Sequence, residues 1–390
     1  MKQDARLASK VKAMTRIEVI SKAMAGKIRW VDVANILGVT DRQVRRLKVT
    51  AETKGVAFVV DQRGGRPRRK RVKAEVVEEL CRLRREKYAD FSVRHFFEHA
   101  TEKHGLKLSY SHALAVLQAA GLAEKLPKRG TYRRRRERRP LRGMLLHIDA
   151  STHLWFGDRQ CDLVVVLDDA DGRVLYAMFF EQEGVASTLA ALSHVLKHQG
   201  RFAELYHDRG THYGKREGID AAEPSGQVQR VLRAVGVRQI FARSPEARGR
   251  SERNFRTHQQ RLVAELKLHG INDMEAANRY LWEGGYIADF NRRFTVKPAQ
   301  PESAFVRLAG LDFAMLTAAQ HERTVGRDNV VRFEGTPLQL PEGSKRTTYA
   351  GCPVLVHQLQ NELLVTWQGK AIGRFTKLGD PLPLRARKVA

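Results

Sequence analysis

MLLHIDAS (144–151), CDLVVVLDD (161–169) and RVLYAMFFE (173–181) are apolar, β-rich runs in close succession, and their reading decides the fold. Asp171-Gly172, between the second and third, is a tight-turn signal, so the three strands meander. Outward from them the pattern changes period. A helix is expected over 185–199, then the short strand AELYHD (203–208). A helix over 226–235, the strand VRQIFA (237–242) and a long helix over 251–268 complete the series. Three meandering strands followed by alternating helix and strand predict an α/β layer with a mixed sheet.

Three acidic residues stand at the ends of these elements. Asp149 ends the first strand, on an apolar segment where a carboxylate costs free energy unless it has a task. Asp208 ends the fourth strand, and Arg209-Gly210 then turns and leaves it at the sheet edge. Glu252 opens the long helix. Taken singly, they read equally well as a strand-end cap, a turn residue and a helix charge favoured by the dipole. Taken together, two carboxylates on adjacent strand ends and a third on a facing helix can share hard divalent cations. Mg²⁺ takes oxygen ligands and keeps waters and substrate phosphates in its shell. Two such ions serve phosphoryl transfer by activating one oxygen and stabilising the leaving one. Asp168 and Asp169 precede Ala-Asp-Gly and read as part of a turn, outside this set. His207 and His212 flank Asp208 and read as loop structure.

The strand end IDAS (148–151), the strand end YHDRGTHY (206–213) and the string SPEARGRSERNFRTHQQRL (244–262) resemble the catalytic core of DDE transposases and retroviral-type integrases. The likeness is nearest to bacterial insertion-sequence transposases of the ISNCY group, and it runs to about residue 310. It implies an RNase H-like sheet carrying Asp149, Asp208 and Glu252 as the catalytic and metal-binding triad. Glu252 is preferred to Glu246 because it precedes Arg253 at the helix start. The cofactor implied is Mg²⁺ (or Mn²⁺), two ions per active site. GKREGIDAAEPSGQ (214–227) lengthens the interval between the second and third acids. The zinc module of retroviral integrases has no counterpart, and helix-turn-helix units take its place.

The chain has 390 residues, with 70 Lys+Arg against 43 Asp+Glu, a formal net charge of +27. With 42% hydrophobic and 29% charged residues, it is a globular rather than a disordered composition. The excess is concentrated at the front: residues 1–143 carry +22, residues 144–300 carry +1 and residues 301–390 carry +4. Charge alone suits a nucleic acid but also ribosome-like, membrane-surface or heparin-type partners; the resemblance implies double-stranded DNA, as element ends and target. Two runs are densest, RGGRPRRKRVK (63–73) and KLPKRGTYRRRRERRPLR (125–142), and both read as extended linkers. Arg66 and Arg68 flank Pro67 in an AT-hook-like core, with a plain basic linker as the alternative. Arg133 and Arg134 lie in the second run. Arg248, Arg250, Arg253 and Arg256 surround Glu252 as a basic rim suited to phosphate oxygens.

WVDVANILGVTDRQVRRLK (30–48) has the spacing of a helix-turn-helix. Ala34 is small at the helix crossing, Gly38 suits a turn of positive φ, and Thr40 can cap the next helix. Val44 and Leu47 face inward, which leaves Arg42, Gln43, Arg45, Arg46 and Lys48 outward on the groove-reading helix. Residues 72–124 read as a second helical unit, with Val76, Leu80 and Leu83 on one helix face. His95 and His99 are four apart on a helix. Without an accompanying cysteine pair they read as core or surface histidines.

Trp282, Tyr286 and Phe290 recur at helical spacing and read as core. From 328 onward NVVRFEG, TPLQL, CPVLVHQL, ELLVTWQG and AIGRFTKL predict a small SH3-like barrel. The expected whole is a multidomain α+β chain. Its parts are a helix-turn-helix DNA-binding domain (1–60), a basic linker (61–73), a second helical DNA-binding domain (74–124) and another basic linker (125–143). An RNase H-like α/β core (144–300), a connector (301–327), the barrel (328–384) and a basic tail (385–390) follow. Cys81, Cys161 and Cys352 are too scattered for a disulfide framework, and no apolar run reaches the length of a membrane span. A cytoplasmic, nucleoid-associated transposase, at least dimeric when two ends are joined, is therefore expected. The rival classes are a DNA-binding regulator with an inactive core and a structure-specific nuclease of the same fold.

Overall fold

The structure is a computed structural model, and it describes residues 15–59, 72–125, 137–214, 226–242, 249–343, 346–359 and 361–384. Arg66, Arg68, Arg133, Arg134, Arg248 and the tail 385–390 lie outside the described residues, as does 215–225 of the lengthened interval. The chain divides into two compact units, Met1–Val76 and Val77–Ala390.

The first unit holds α1 (15–24), α2 (Trp30–Leu37) and α3 (Asp41–Lys54). Val19, Ile20, Val33, Val44 and Ala51 form its buried centre, with Ala34 and Leu47 packed against them. Gly38 ends α2 at φ 61°, a left-handed conformation that only glycine adopts without penalty. Gln43 turns back on the start of its own helix, where its side-chain oxygen accepts a hydrogen bond from Thr40 N at 3.2 Å. Its side chain thus caps the helix while remaining exposed, like those of its neighbours. Arg42, Arg45 and Arg46 are exposed along α3. Lys48 lies over the Trp30 ring at 5.6 Å.

In the second unit β1 (Leu145–His153), β2 (Cys161–Asp168), β3 (Val174–Phe180), β4 (Glu204–His207) and β5 (Arg238–Phe241) form one sheet in the order β3-β2-β1-β4-β5. β1, β2 and β3 are antiparallel, whereas β4 and β5 run parallel to β1 and to each other. This is the expected mixed sheet. Every residue of β2 is buried, because both faces of the sheet are covered. On one face Leu146, Ile148, Val164 and Val166 pack against α7 (Val185–His198) and α8 (Gln227–Ala234). On the other, Leu163, Val165 and Phe179 pack against α9 (Gly249–Leu268), α10 (Met274–Trp282) and α11 (Tyr286–Phe294).

One expectation needs correction here. Trp282 ends α10 and is 42% exposed, while Tyr286 and Phe290 are buried on the next helix. Gly284-Gly285 breaks the period between them. The helices α4 (Ala74–Glu86), α5 (Val93–Glu102) and α6 (Tyr110–Ala119) share one apolar cluster with Ala264 and Leu268 of α9. They are thus packed on the core helix.

The C-terminal part is not a closed barrel. After the short α12 (Phe313–Thr317), a strand within the expected connector, β6 (Ala319–Thr324), begins it. β6 joins β9 (Pro353–Gln358), β10 (Glu362–Trp367) and β11 (Lys370–Thr376) in a four-stranded sheet of order β11-β10-β9-β6. β7 (Val330–Phe333) and β8 (Thr336–Gln339) form a separate two-stranded sheet. The hairpin packs its Val331, Phe333 and Leu338 onto Val356, Val365 and Phe375. Face-to-face packing of two small sheets buries the same side chains that barrel closure would. No helix among the described residues is long and apolar enough to cross a membrane.

Candidate active site

Asp149 sits within β1 opposite Val165 of β2, and Val165 belongs to the apolar layer beneath α9–α11. Directly opposed residues point to the same face, so the Asp149 side chain lies on the α9 side of the sheet. Only 7% of Asp149 is exposed, and Ala150 N donates to its Oδ1 at 2.9 Å.

Asp208 follows the last residue of β4. Leu145, Leu146 and His147 pair with Glu204, Leu205 and Tyr206, a constant offset of 59 residues. Continued two residues further, that offset sets Asp208 beside Asp149. On neighbouring parallel strands this is a backbone spacing of about 4.8 Å, with both side chains on one face. Gly210 N donates to Asp208 Oδ1 at 2.8 Å. A Cβ on Gly210 would lie 3.0 Å from that oxygen and 2.7 Å from the His212 ring, so only glycine leaves the carboxylate undisturbed.

His207 is 1% exposed, and its ring stacks on Tyr213 with centroids 4.0 Å apart. Its Nδ1 is 2.7 Å from Asp208 O, and Gln239 Nε2 approaches its Nε2 at 3.3 Å. Nδ1 therefore donates to the Asp208 carbonyl and Nε2 accepts. Burial pushes its pKa down to about 4, so the ring is neutral near pH 7 and works as a rigid brace for the Asp208 backbone.

Glu252 lies in the first turn of α9 and is exposed. Two contacts fix how this helix crosses β1. Arg250 pairs with Asp169, whose Oδ1 also bonds His147 Nε2 at 2.7 Å. Gln259 Nε2 donates to Ser151 Oγ at 3.0 Å. From 250 to 259 the helix rises about 13.5 Å. From 147 to 151 the strand rises about 13 Å. The two therefore run alongside each other, with Asp149 at the midpoint. Glu252 precedes Gln259 by seven residues, two turns, and shares its stripe. Among the described residues the ligand oxygens of Asp149, Asp208 and Glu252 do not all come within 4.8 Å of one another. The register, continued past the last paired residues, points to the two aspartates lying side by side, with the stripe of Glu252 along β1.

The sequence did not single out the Asp169 network. Asp169 is 1% exposed and accepts from Arg139 N at 2.8 Å as well as from His147 and Arg250. Burial works to raise its pKa, but these hydrogen bonds outweigh it and hold the carboxyl well below the usual range. Its neighbour Asp168 accepts from Gly143 N and Ala170 N, yet burial pushes it up to about 6. Arg250 is spent on Asp169 and on Glu137 O, while Arg253 and Arg256 remain exposed on α9. A signal was present: His147 and Asp149 are two apart on one strand and so share a face.

Residues 15–68 match the family described as a helix-turn-helix domain. The chain is 31% identical to the putative transposase y4bF of Sinorhizobium fredii, across 92% of this chain and 79% of that one. It is 27% identical to the transposase for insertion sequence IS1202 of Streptococcus pneumoniae, across 66% of this chain and 63% of that one. Similar solved structures include a simian T-cell lymphotropic virus intasome in complex with PP2A regulatory subunit B56 gamma. It has a TM-score of 0.35 and 16% identity, and the match covers 75% of this chain and 98% of that one. The HTLV-2 integrase catalytic core domain in complex with magnesium has a TM-score of 0.29 and 17% identity, over 36% of this chain and 86% of that one.

Proposed function

The chain belongs to the transposases, and from that premise we propose that it acts on a bacterial insertion sequence: it binds the element ends, cleaves DNA to free 3′-hydroxyls and joins them to target DNA. The observation that supports this reading is the offset of 59 residues between β1 and β4, which, continued two residues past the paired ones, would bring Asp149 and Asp208 side by side. Asp149 and Asp208 would hold two Mg²⁺ (or Mn²⁺) ions, with Glu252 completing one site. All the donors are carboxylate oxygens, which fits these hard cations. When bound, the ions supply charge neutralisation at the scissile phosphate and activation of the attacking oxygen.

The chain's own residues do the positioning. Gly210 N orients the Asp208 carboxylate, and the neutral His207 ring pins the Asp208 carbonyl. Gln259 and Arg250 hold α9 along β1 at two points, so the Glu252 stripe stays in line with Asp149. Arg253 and Arg256, exposed on the same helix, offer guanidinium groups to the strand being cut. Arg42, Arg45, Arg46 and Lys48 on α3 would take the duplex in its major groove. Joining two ends requires at least two copies of the chain in the complex that holds them.

The test is a wild-type assay on end-mimicking duplexes. Mg²⁺-dependent nicking, followed by covalent joining of the 3′-end to a second duplex and abolished by chelator, is expected. Cutting without joining would mean a nuclease, and neither would mean a regulator. On the reading side, Arg45→Ala with Arg46→Ala should lower end-DNA affinity. The log–log salt dependence should flatten by about one unit of slope for each phosphate the arginines no longer neutralise. Titrations at several salt concentrations check it, and an unchanged slope would remove α3 from the interface.

A further inference from the structure

We propose that His95, His99 and Glu265 form a structural zinc site that fastens the α4–α6 helices to α9. His95 and His99 sit one turn apart on α5 and so present both rings to the same side. Their Nε2 atoms lie 2.9 and 2.8 Å from a single oxygen, Oε1 of Glu265, although Glu265 is 170 and 166 residues away in the chain. All three residues are buried, at 3%, 6% and 6% exposure. Their ligand atoms lie within 4.8 Å of one another, the only such His/Cys/Asp/Glu trio among the described residues.

The donor set decides the ion. Two imidazole nitrogens and one carboxylate oxygen suit Zn²⁺, with water as the fourth ligand, whereas Mg²⁺ takes oxygens. Placing an ion with bonds near 2 Å between these atoms needs them to part by about half an ångström. The surroundings hold the ligands in place. Phe91 stacks on the His95 ring at 4.3 Å, and the Tyr88 ring meets His99 edge-on at 5.4 Å. Tyr280 Oη donates to the other Glu265 oxygen at 3.2 Å, which leaves Oε1 to face the histidines.

Charge points the same way. Among the described residues no Lys or Arg pairs with Glu265, so a buried carboxylate faces only imidazole rings and a tyrosine hydroxyl. Arg261, one turn earlier, is committed to Glu98 at 2.8 Å. A divalent cation bound by the two imidazoles would neutralise that carboxylate. The spacing His-x-x-Glu-His also occurs in metallopeptidases, where the intervening glutamate acts in catalysis. Here that residue, Glu98, has its Oε2 held by Arg261 and, at 3.2 Å, by Arg293. It is not available as a base, and the site is a clamp between helices.

The experiment uses full-length protein carrying Asp149→Asn and Asp208→Asn, so that those carboxylates contribute no metal signal. After stripping with chelator, Co²⁺ is titrated and the visible absorption of a tetrahedral site is followed, then displaced with Zn²⁺. One equivalent with such a band, and a higher Tm on adding zinc, are expected. Adding Glu265→Gln, or separately His99→Gln, should abolish both responses. Circular dichroism checks that these variants keep their helices. Absence of the band and of the zinc-dependent Tm rise in the parent overturns the site, whatever the variants do. Persistence of both in folded Glu265→Gln and His99→Gln protein overturns the assignment to these residues.

Discussion

Asp149→Asn is expected to lower strand joining by about 10³-fold or more, the scale of losing one preorganised electrostatic interaction or greater. The fold should not suffer. Asparagine has the same shape, and its Oδ1 can still accept from Ala150 N. Removing one of two negative charges set side by side on neighbouring strands relieves a repulsion, so stability should stay level or rise. Activity and stability would then move in opposite directions, which a merely structural aspartate cannot produce. Joining assays at saturating Mg²⁺ and a thermal melt on the same preparation check both. Joining above a tenth of the wild-type rate, or a clearly lower Tm, would refute the role.

Asp169→Ala should be the most damaging single change to the fold around the site. Asp169 takes hydrogen bonds from the buried His147, from Arg139 N and from Arg250. Truncation takes that acceptor away from a buried imidazole and a mostly buried guanidinium. Breaking a buried pair from one side costs about 3–5 kcal/mol. For a unit of this size that corresponds to a fall in Tm on the order of 10 °C. Because Arg250 holds the first turn of α9, joining should be lost as well, through displacement of Glu252. The low pKa of Asp169 adds a sign. A carboxyl held below its unfolded value stabilises the fold above about pH 4 and loses that contribution as pH falls further. The acid limb of the stability profile should therefore flatten in Asp169→Ala. Calorimetry across pH 3–7 tests this, and a loss under about 1 kcal/mol at pH 7 with an unaltered acid limb would leave the network without a structural role.

The core was legible because its strands declare themselves locally. Val, Leu and Ile runs bounded by Asp171-Gly172 and by Asp208-Arg209-Gly210 need no distant partner to be read, and the observed strands begin and end within one or two residues of the expected ones. The helix-turn-helix was legible for the same reason: Gly38 and Thr40 mark a turn and a cap, both local. Strand closure was not. Whether β7 and β8 join β6 or pack across it depends on hydrogen bonds between residues far apart, and periodicity is the same in either case. The engagement of Arg250 was hidden too, since a polar residue on a helix looks outward until its partner is known.

By itself the sequence determined which residues are strands, where the charge is gathered, and that Asp149 and Asp208 belong to strand segments, although Asp149 lies inside β1 rather than at its end and only the sheet order sets β4 beside β1. Only the tertiary structure decided what each polar group meets. It paired Arg250 with Asp169, split the expected barrel into two sheets, and brought Glu265 to His95 and His99 across more than 160 residues of chain. The division has one cause. Propensity and period act over a few residues and are written in order, whereas hydrogen bonds and ion pairs act over about 3 Å of space, a distance that chain order does not encode.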